Sequence, residues 1–153
     1  MHKRWHPLPK FYNEVTAGTR HRKGAGPLIL FVFFLIDALL ISLLTMWMVK
    51  AISNGSLERN QMVGIRTKAT LASDGAWDVA HKAAIPYMNA VAIIGFAGAT
   101  LALLSLLMRP ADGSLTGIHY AIPTVALALQ VVILIWGSVV GHRRAKEVVK
   151  QEN

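Results

Sequence analysis

LILFVFFLIDALLISLLTMWMV, residues 28–49, is an apolar run with one ionisable side chain, Asp37. At about 1.5 Å rise per residue it is long enough to cross, as a helix, a hydrocarbon core about 30 Å thick. A backbone inside lipid must satisfy its own hydrogen bonds, so the helix is the form it takes. Two runs of the same kind follow, Ile85 to Met108 and Ile118 to Val140. Three spans in 153 residues leave little chain for a separate water-soluble core. The expectation is an all-α membrane protein with three transmembrane helices and a short interfacial helix in the first loop.

Outward from the first span, residues 1–26 form a basic tail with Lys3, Arg4, Lys10, Arg20, Arg22 and Lys23, broken by Pro7 and Pro9. Alone it is expected to be disordered. The tail and first run together look like a secretory signal, but the apolar core is too long and no small-residue cleavage site follows, so the run is read as retained. Residues 27–142 are the membrane unit, and residues 143–153 a second basic tail with Arg143, Arg144, Lys146 and Lys150 on an amphipathic extension of the third helix. The formal charge of +8 sits in the tails and first loop, so anionic lipid headgroups are the expected counter-charge. Other membrane protein subunits are the expected protein partners. Nucleic acid is not, because no groove-entering element or soluble module presents the charge.

Cysteine is absent, which excludes disulfides, thiolate metal sites and a cysteine nucleophile. His2 and His6 could share a helical face, but no third ligand lies close in sequence, so no metal site is expected. The serines lie in spans or at caps with no base arranged by a motif. The chain therefore reads as non-enzymatic, with no cofactor.

The first loop, residues 50–84, is the longest polar stretch. Ser73 can accept from the free amides of a following helical turn, and Asp74 suits the positive end of its dipole. A short helix, Asp74 to Ala84, is expected along the membrane surface, with Trp77 and His81 four residues apart on one face and Asp78 and Lys82 making a second such pair. Pro86 then opens the second span or kinks the junction. The hairpin from Arg109 to Gly117 is short and rich in turn formers, so the second and third spans are antiparallel neighbours. Gly95 and Ala99, and Gly137 and Gly141, offer small residues at four-residue spacing that permit close helix packing, within the chain or against another.

Asp37 lies near mid-membrane, where a carboxylate must face protein or water, find a partner or be protonated. Gln130, at similar depth, is a candidate donor to it. Lys and Arg near the span ends favour the side holding the first loop and C-terminus, with nine against Arg109 and an N-terminal tail whose Lys3 and Arg4 lie far from the span. That places the first loop and C-terminus in the cytoplasm.

Within the loop, Arg59, Asn60, Gly64, Arg66, Thr70, Trp77 and His81 form a cassette. Gly64 allows a tight turn that brings Arg59 and Arg66 together, and their guanidinium groups suit phosphate or carboxylate. Trp77 suits the headgroup layer, its ring in the acyl boundary and its indole N–H in water. These residues either anchor the loop to lipid phosphates and helix ends or form a recognition surface for a peptide or protein. The order and spacing of Asn60, Gly64, Arg66, Thr70, Trp77 and His81 resemble the signature of the SdpI family of small bacterial membrane proteins, over roughly Leu40 to Met108. Family members commonly carry prolines just after the Arg-Thr pair and before the Asn. Here Lys68 and Glu58-Arg59 occupy those places, implying a looser loop. The resemblance implies an immunity and signal-transducing role, recognising a secreted peptide toxin and sequestering a repressor at the membrane, in a bacterial plasma membrane. The residues themselves point first to an accessory or binding subunit on a larger membrane complex, then to that immunity role, and third to a proton- or ion-conducting element built on Asp37.

Overall fold

A computed structural model of the chain describes residues 25–59 and 62–152. Among them are three long helices, α1 (Ala25–Ser53), α2 (Asp74–Ser105) and α3 (Gly117–Glu152), with a single 3-10 turn, Leu106–Met108, after α2. Each contains a stretch long and apolar enough to cross a membrane. The N-terminal tail up to residue 24, with His2 and His6, and Asn60 of the cassette lie outside the described residues.

Local chemistry sets the ends of these helices. α1 stops at Gly55, whose φ of +66° lets its N–H reach Ile52 O at 3.1 Å while Ser56 N–H reaches Ala51 O at 2.9 Å. This is the paired closure by which a glycine just past a helix satisfies its last carbonyls. α2 begins at Ser73, whose hydroxyl accepts from Ala76 N–H at 3.1 Å, with Asp74 in the first turn. At the other side of the bundle, Asp112 accepts from Ser114 N–H at 2.9 Å and Gly113, at φ +70°, turns the chain into α3. The Ser114 bond holds the Asp112 carboxyl below its ordinary range.

One expectation changes. Residues 74–84 are helical, but they do not form a separate surface helix; they run without interruption through Pro86 into the second span. The reason lies in α3. At 32 and 36 residues, α2 and α3 are about 48 and 54 Å long, more than a bilayer core needs. Being antiparallel, they overshoot on the same side. There Ala76, Ala80 and Ala145 pack together with Ala69, Val148 and Val149 around them, and Ser73 Oγ reaches Glu152 Oε1 at 3.1 Å. The segment thus buries its small apolar face against protein instead of lying on lipid. Pro86 removes only one helix donor, and that packing carries the helix through it.

In the apolar part of the bundle α2 packs against both α1 and α3, and α1 also touches α3. The contacts are close because the facing residues are small. Gly95, Ala99, Gly137 and Gly141 are all buried within the chain. A Cβ on Gly95 would overlap Ser42 Oγ and Gln130 Nε2, one on Gly137 would come within 2.9 Å of Tyr87, and one on Gly141 within 2.8 Å of Ala80 O. The outward faces are the reverse: in the apolar windows of α1 and α3 only 22% of residues are buried, against 39% in α2. Leu28, Phe33, Leu40, Leu44 and Trp47 of α1 and Val125, Val132 and Trp136 of α3 all face outward. An apolar surface of this extent calls for hydrocarbon around it, and the protein is a multi-pass membrane protein.

Candidate functional site in the first loop

Between α1 and α2, the described residues of the segment 54–73 contain no helix or strand, so their backbone groups need other partners. Cassette side chains supply them. Gly64, at φ +114°, carries the chain so closely over α2 that a Cβ would overlap His81 Nε2 and come within 2.9 Å of Trp77 Cη2. The next residue, Ile65, donates its N–H to His81 Nε2 at 2.8 Å. Nε2 is therefore the acceptor, and Nδ1–H donates to Trp77 O at 2.8 Å. Thr70 Oγ1 donates to Ile65 O at 2.6 Å and accepts from Thr67 N–H at 2.9 Å. Thr67 Oγ1 in turn lies 2.9 Å from His142 Nδ1 on α3. The loop is thereby tied to both α2 and α3.

Trp77 departs from the sequence reading. Its ring is not at the lipid boundary and its N–H is not in water. The side chain is 3% exposed, stacked beside His81 at a centroid distance of 4.1 Å, and Nε1–H donates to Leu57 O at 2.9 Å. The long first loop folds back over the N-terminal half of α2 and covers it. Thr70 and His81 are buried as completely. Gly64, Thr70, Trp77 and His81 are thus brought together as a fastening. Arg66 is exposed on the loop.

Arg59 and Arg66 do not combine into one anion fork. Arg59 is spent on the first residue of α2 and on the loop, its Nε 2.8 Å from Asp74 Oδ1 and its Nη1 donating to Leu71 O at 2.8 Å. It lines instead a cleft of about 420 Å³ with Glu58, Asp74, Trp77, Asp78 and His81, and Arg66 is not part of that lining. Apolar walls come from Ile52 and Leu57. Asp78 is paired with Lys82 at 2.8 Å on the exposed side. The cleft therefore mixes carboxylates, one guanidinium and apolar surface, a lining suited to a peptide segment. Among the described residues no group of three or more His, Asp or Glu side chains gathers where a metal could bind.

The intramembrane polar residues do not pair with each other. Gln130 is fully buried at the three-helix junction, and its Nε2 faces Ala38 O at 3.2 Å, Ser42 Oγ at 3.0 Å and Val91 O at 3.1 Å. Gln130 Oε1 has no partner among the described residues. The amide is drawn past Asp37 because the missing side chain at Gly95 leaves room beside Ser42. Asp37 is partly buried.

Three residues that hold this region were not singled out from sequence. Thr67 and His142 join the loop to α3, and His119 closes the far end of the bundle, with Nδ1 accepting from Thr116 N–H at 3.0 Å and Nε2 facing Ser105 O at 3.0 Å. His119 had a signal: it stands three residues after Thr116, where a side chain reaches back to the N-cap amide. Thr67 and His142 are 75 residues apart, and no local spacing links them.

A family model described as the SdpI/YfhL protein family matches residues 56–140. That range begins after α1 and takes in the loop, α2, the hairpin and most of α3, so it lies further toward the C-terminus than the stretch from Leu40 to Met108. No curated protein and no solved structure matches the chain. With more than half of its length matched, and the fastening residues of the loop inside the match, the chain belongs to the SdpI/YfhL family of membrane proteins.

Proposed function

We propose that this protein is a non-enzymatic binding protein of a bacterial plasma membrane, which seats a peptide or protein segment of a partner in the first-loop cleft. The observation that carries this reading is the cleft's construction. Side chains from α2 and α3 tie down the loop at Leu57, Ile65 and Thr67, and the loop and α2 then present charged and apolar groups side by side. Preorganised walls of this kind lower the ordering cost of binding. The positive-inside count supports a cytoplasmic loop and C-terminus, so the partner segment is a cytoplasmic one.

The test is purification of the full chain in mild detergent from its own host, alongside Asp78→Trp, which fills the cleft from an exposed position. A partner retained in stoichiometric amount by the wild type and lost by Asp78→Trp is the expected result. Equal retention by both would overturn it. A second reading, an accessory subunit docked through a helix face, draws on the sparse burial of α1. It expects the partner to survive Asp78→Trp and to be lost with Leu40→Gln on the outward face of α1. The immunity role that the family suggests expects deletion to sensitise cells to a secreted peptide, with rescue by wild type but not by Arg66→Ala. For an ion-conducting role, Asp37 would need a next member in the path, and Gln130 is committed elsewhere.

A further inference from the structure

A second groove, of about 400 Å³, runs along α3 and is lined by Leu134, Ile135, Ser138, Val139 and His142, with Thr67 of the loop at the His142 end. Its polarity is graded. Leu134 to Val139 are the last turns of the apolar run, and the Ser138 hydroxyl is turned back onto Leu134 O at 2.9 Å, so this part offers only apolar surface. His142 is the first ionisable residue beyond the run, and the groove therefore crosses from hydrocarbon to headgroup depth.

Positive charge continues the groove at its polar end. Arg143 lies one helical turn beyond Val139 and Lys146 one turn beyond His142, while Arg66 and Lys68 flank Thr67 on the loop. All four are exposed. The ion pairs among the described residues involve Arg59, Lys82 and Arg144 instead. Four cations with no counter-charge among the described residues thus stand next to, or one helical turn beyond, residues that line the groove.

We propose that this groove is a binding site for one anionic phospholipid. An acyl chain lies along Leu134, Ile135 and Val139, and the phosphate sits at the Thr67–His142 end among Arg66, Lys68, Arg143 and Lys146. Arginine forks and lysine ammonium groups both suit phosphate oxygens, and basic residues at the cytoplasmic boundary select anionic over zwitterionic lipid. The site is separate from the first-loop cleft and does not depend on what binds there.

Native mass spectrometry of the full chain in mild detergent, offered equal amounts of dioleoylphosphatidylglycerol and dioleoylphosphatidylcholine, tests it. The wild type should retain one phosphatidylglycerol in preference to phosphatidylcholine. Arg143→Gln with Lys146→Gln should weaken that preference by about fivefold per cation removed, and Ser138→Trp, which fills the apolar part, should abolish retention of either lipid. Arg144→Gln, which removes the same charge from a cation already paired with Glu147, should leave it unchanged. Equal retention of the two lipids by the wild type would overturn the proposal. So would a loss with Arg144→Gln as large as with Arg143→Gln, or displacement of the lipid by millimolar inorganic phosphate, which marks an anion site indifferent to the acyl chain.

Discussion

At its N-terminal end α2 meets the long loop of residues 54–73, and at its C-terminal end the short connection of residues 109–116. Both ends bury a histidine, yet the two rings are used differently. His81 accepts on Nε2 from Ile65, 16 residues away, and its Nδ1 returns to α2 itself. His119 accepts on Nδ1 from Thr116, only three residues away, and its Nε2 faces Ser105 at the end of α2. The short connection is closed by turn chemistry, with Gly113, Asp112 and a helix cap, and the histidine adds one link. Among the described residues the long loop closes only short backbone turns, Leu71 N–H to Thr67 O and Ala72 N–H to Ala69 O, so the rest of its shape depends on side chains reaching across. The cassette is concentrated where the backbone most needs partners, and the cleft it holds open is a product of that need.

Glycine substitution separates the two ends most sharply. Gly64→Ala places a side chain at positive φ and against His81 and Trp77, and a loss of about 3 kcal/mol is expected from left-handed strain and overpacking together. Gly113→Ala, also at positive φ but with only Arg109 Nη2 at 3.9 Å, should lose about 1 kcal/mol. Reversible denaturation in mixed detergent micelles measures both. Equal losses would mean that close packing of the loop on α2 contributes nothing.

Replacing the histidines is the next largest contrast. His81→Phe strands the buried Ile65 N–H and should cost about 2 kcal/mol, whereas His119→Phe leaves Thr116 N–H to water and strands only the Ser105 carbonyl, and should cost about 1 kcal/mol. Nitrogen-15 spectra of the wild type should show the proton on Nδ1 of His81 and on Nε2 of His119. The same protonated nitrogen in both rings would contradict the two arrangements.

Thr70→Val, nearly isosteric, removes the hydroxyl joining Ile65 O to Thr67 N–H. It should lower stability by about 1 kcal/mol and raise amide exchange at Thr67 while leaving the hairpin amides unchanged. Protection lost equally at both ends would deny the loop its independence. The smallest effect is expected for Arg59→Gln. Its ion pair with Asp74 is exposed, at 39% and 86% for the two side chains, and should contribute no more than about 0.5 kcal/mol. A larger loss in the same denaturation series would assign Arg59 a structural weight closer to that of His81.

The spans, the Ser73 cap, the antiparallel hairpin and the family were legible in the sequence because each depends on residues adjacent in the chain or on fixed intervals. The place of the candidate site was legible too, since Gly64, Thr70, Trp77 and His81 fall within one short stretch. Their direction was not. A tryptophan beside a predicted span is as well suited to the headgroup layer as to a buried contact, and Trp77 was settled by the Leu57 carbonyl 20 residues earlier. In the same way Arg59 could have joined Arg66 until Asp74 and Leu71 engaged it.

Hydrophobic length and composition alone determined that three segments require hydrocarbon, and the order of a few polar residues determined the family. Only the folded chain decided that the cassette faces inward, that α2 continues through Pro86 against α3, and that Gln130 serves Ala38, Ser42 and Val91. The physical reason is distance along the chain. Burial in lipid is a property of a segment, whereas a hydrogen bond across 16, 75 or 92 residues exists only once helices from different parts of the chain have packed.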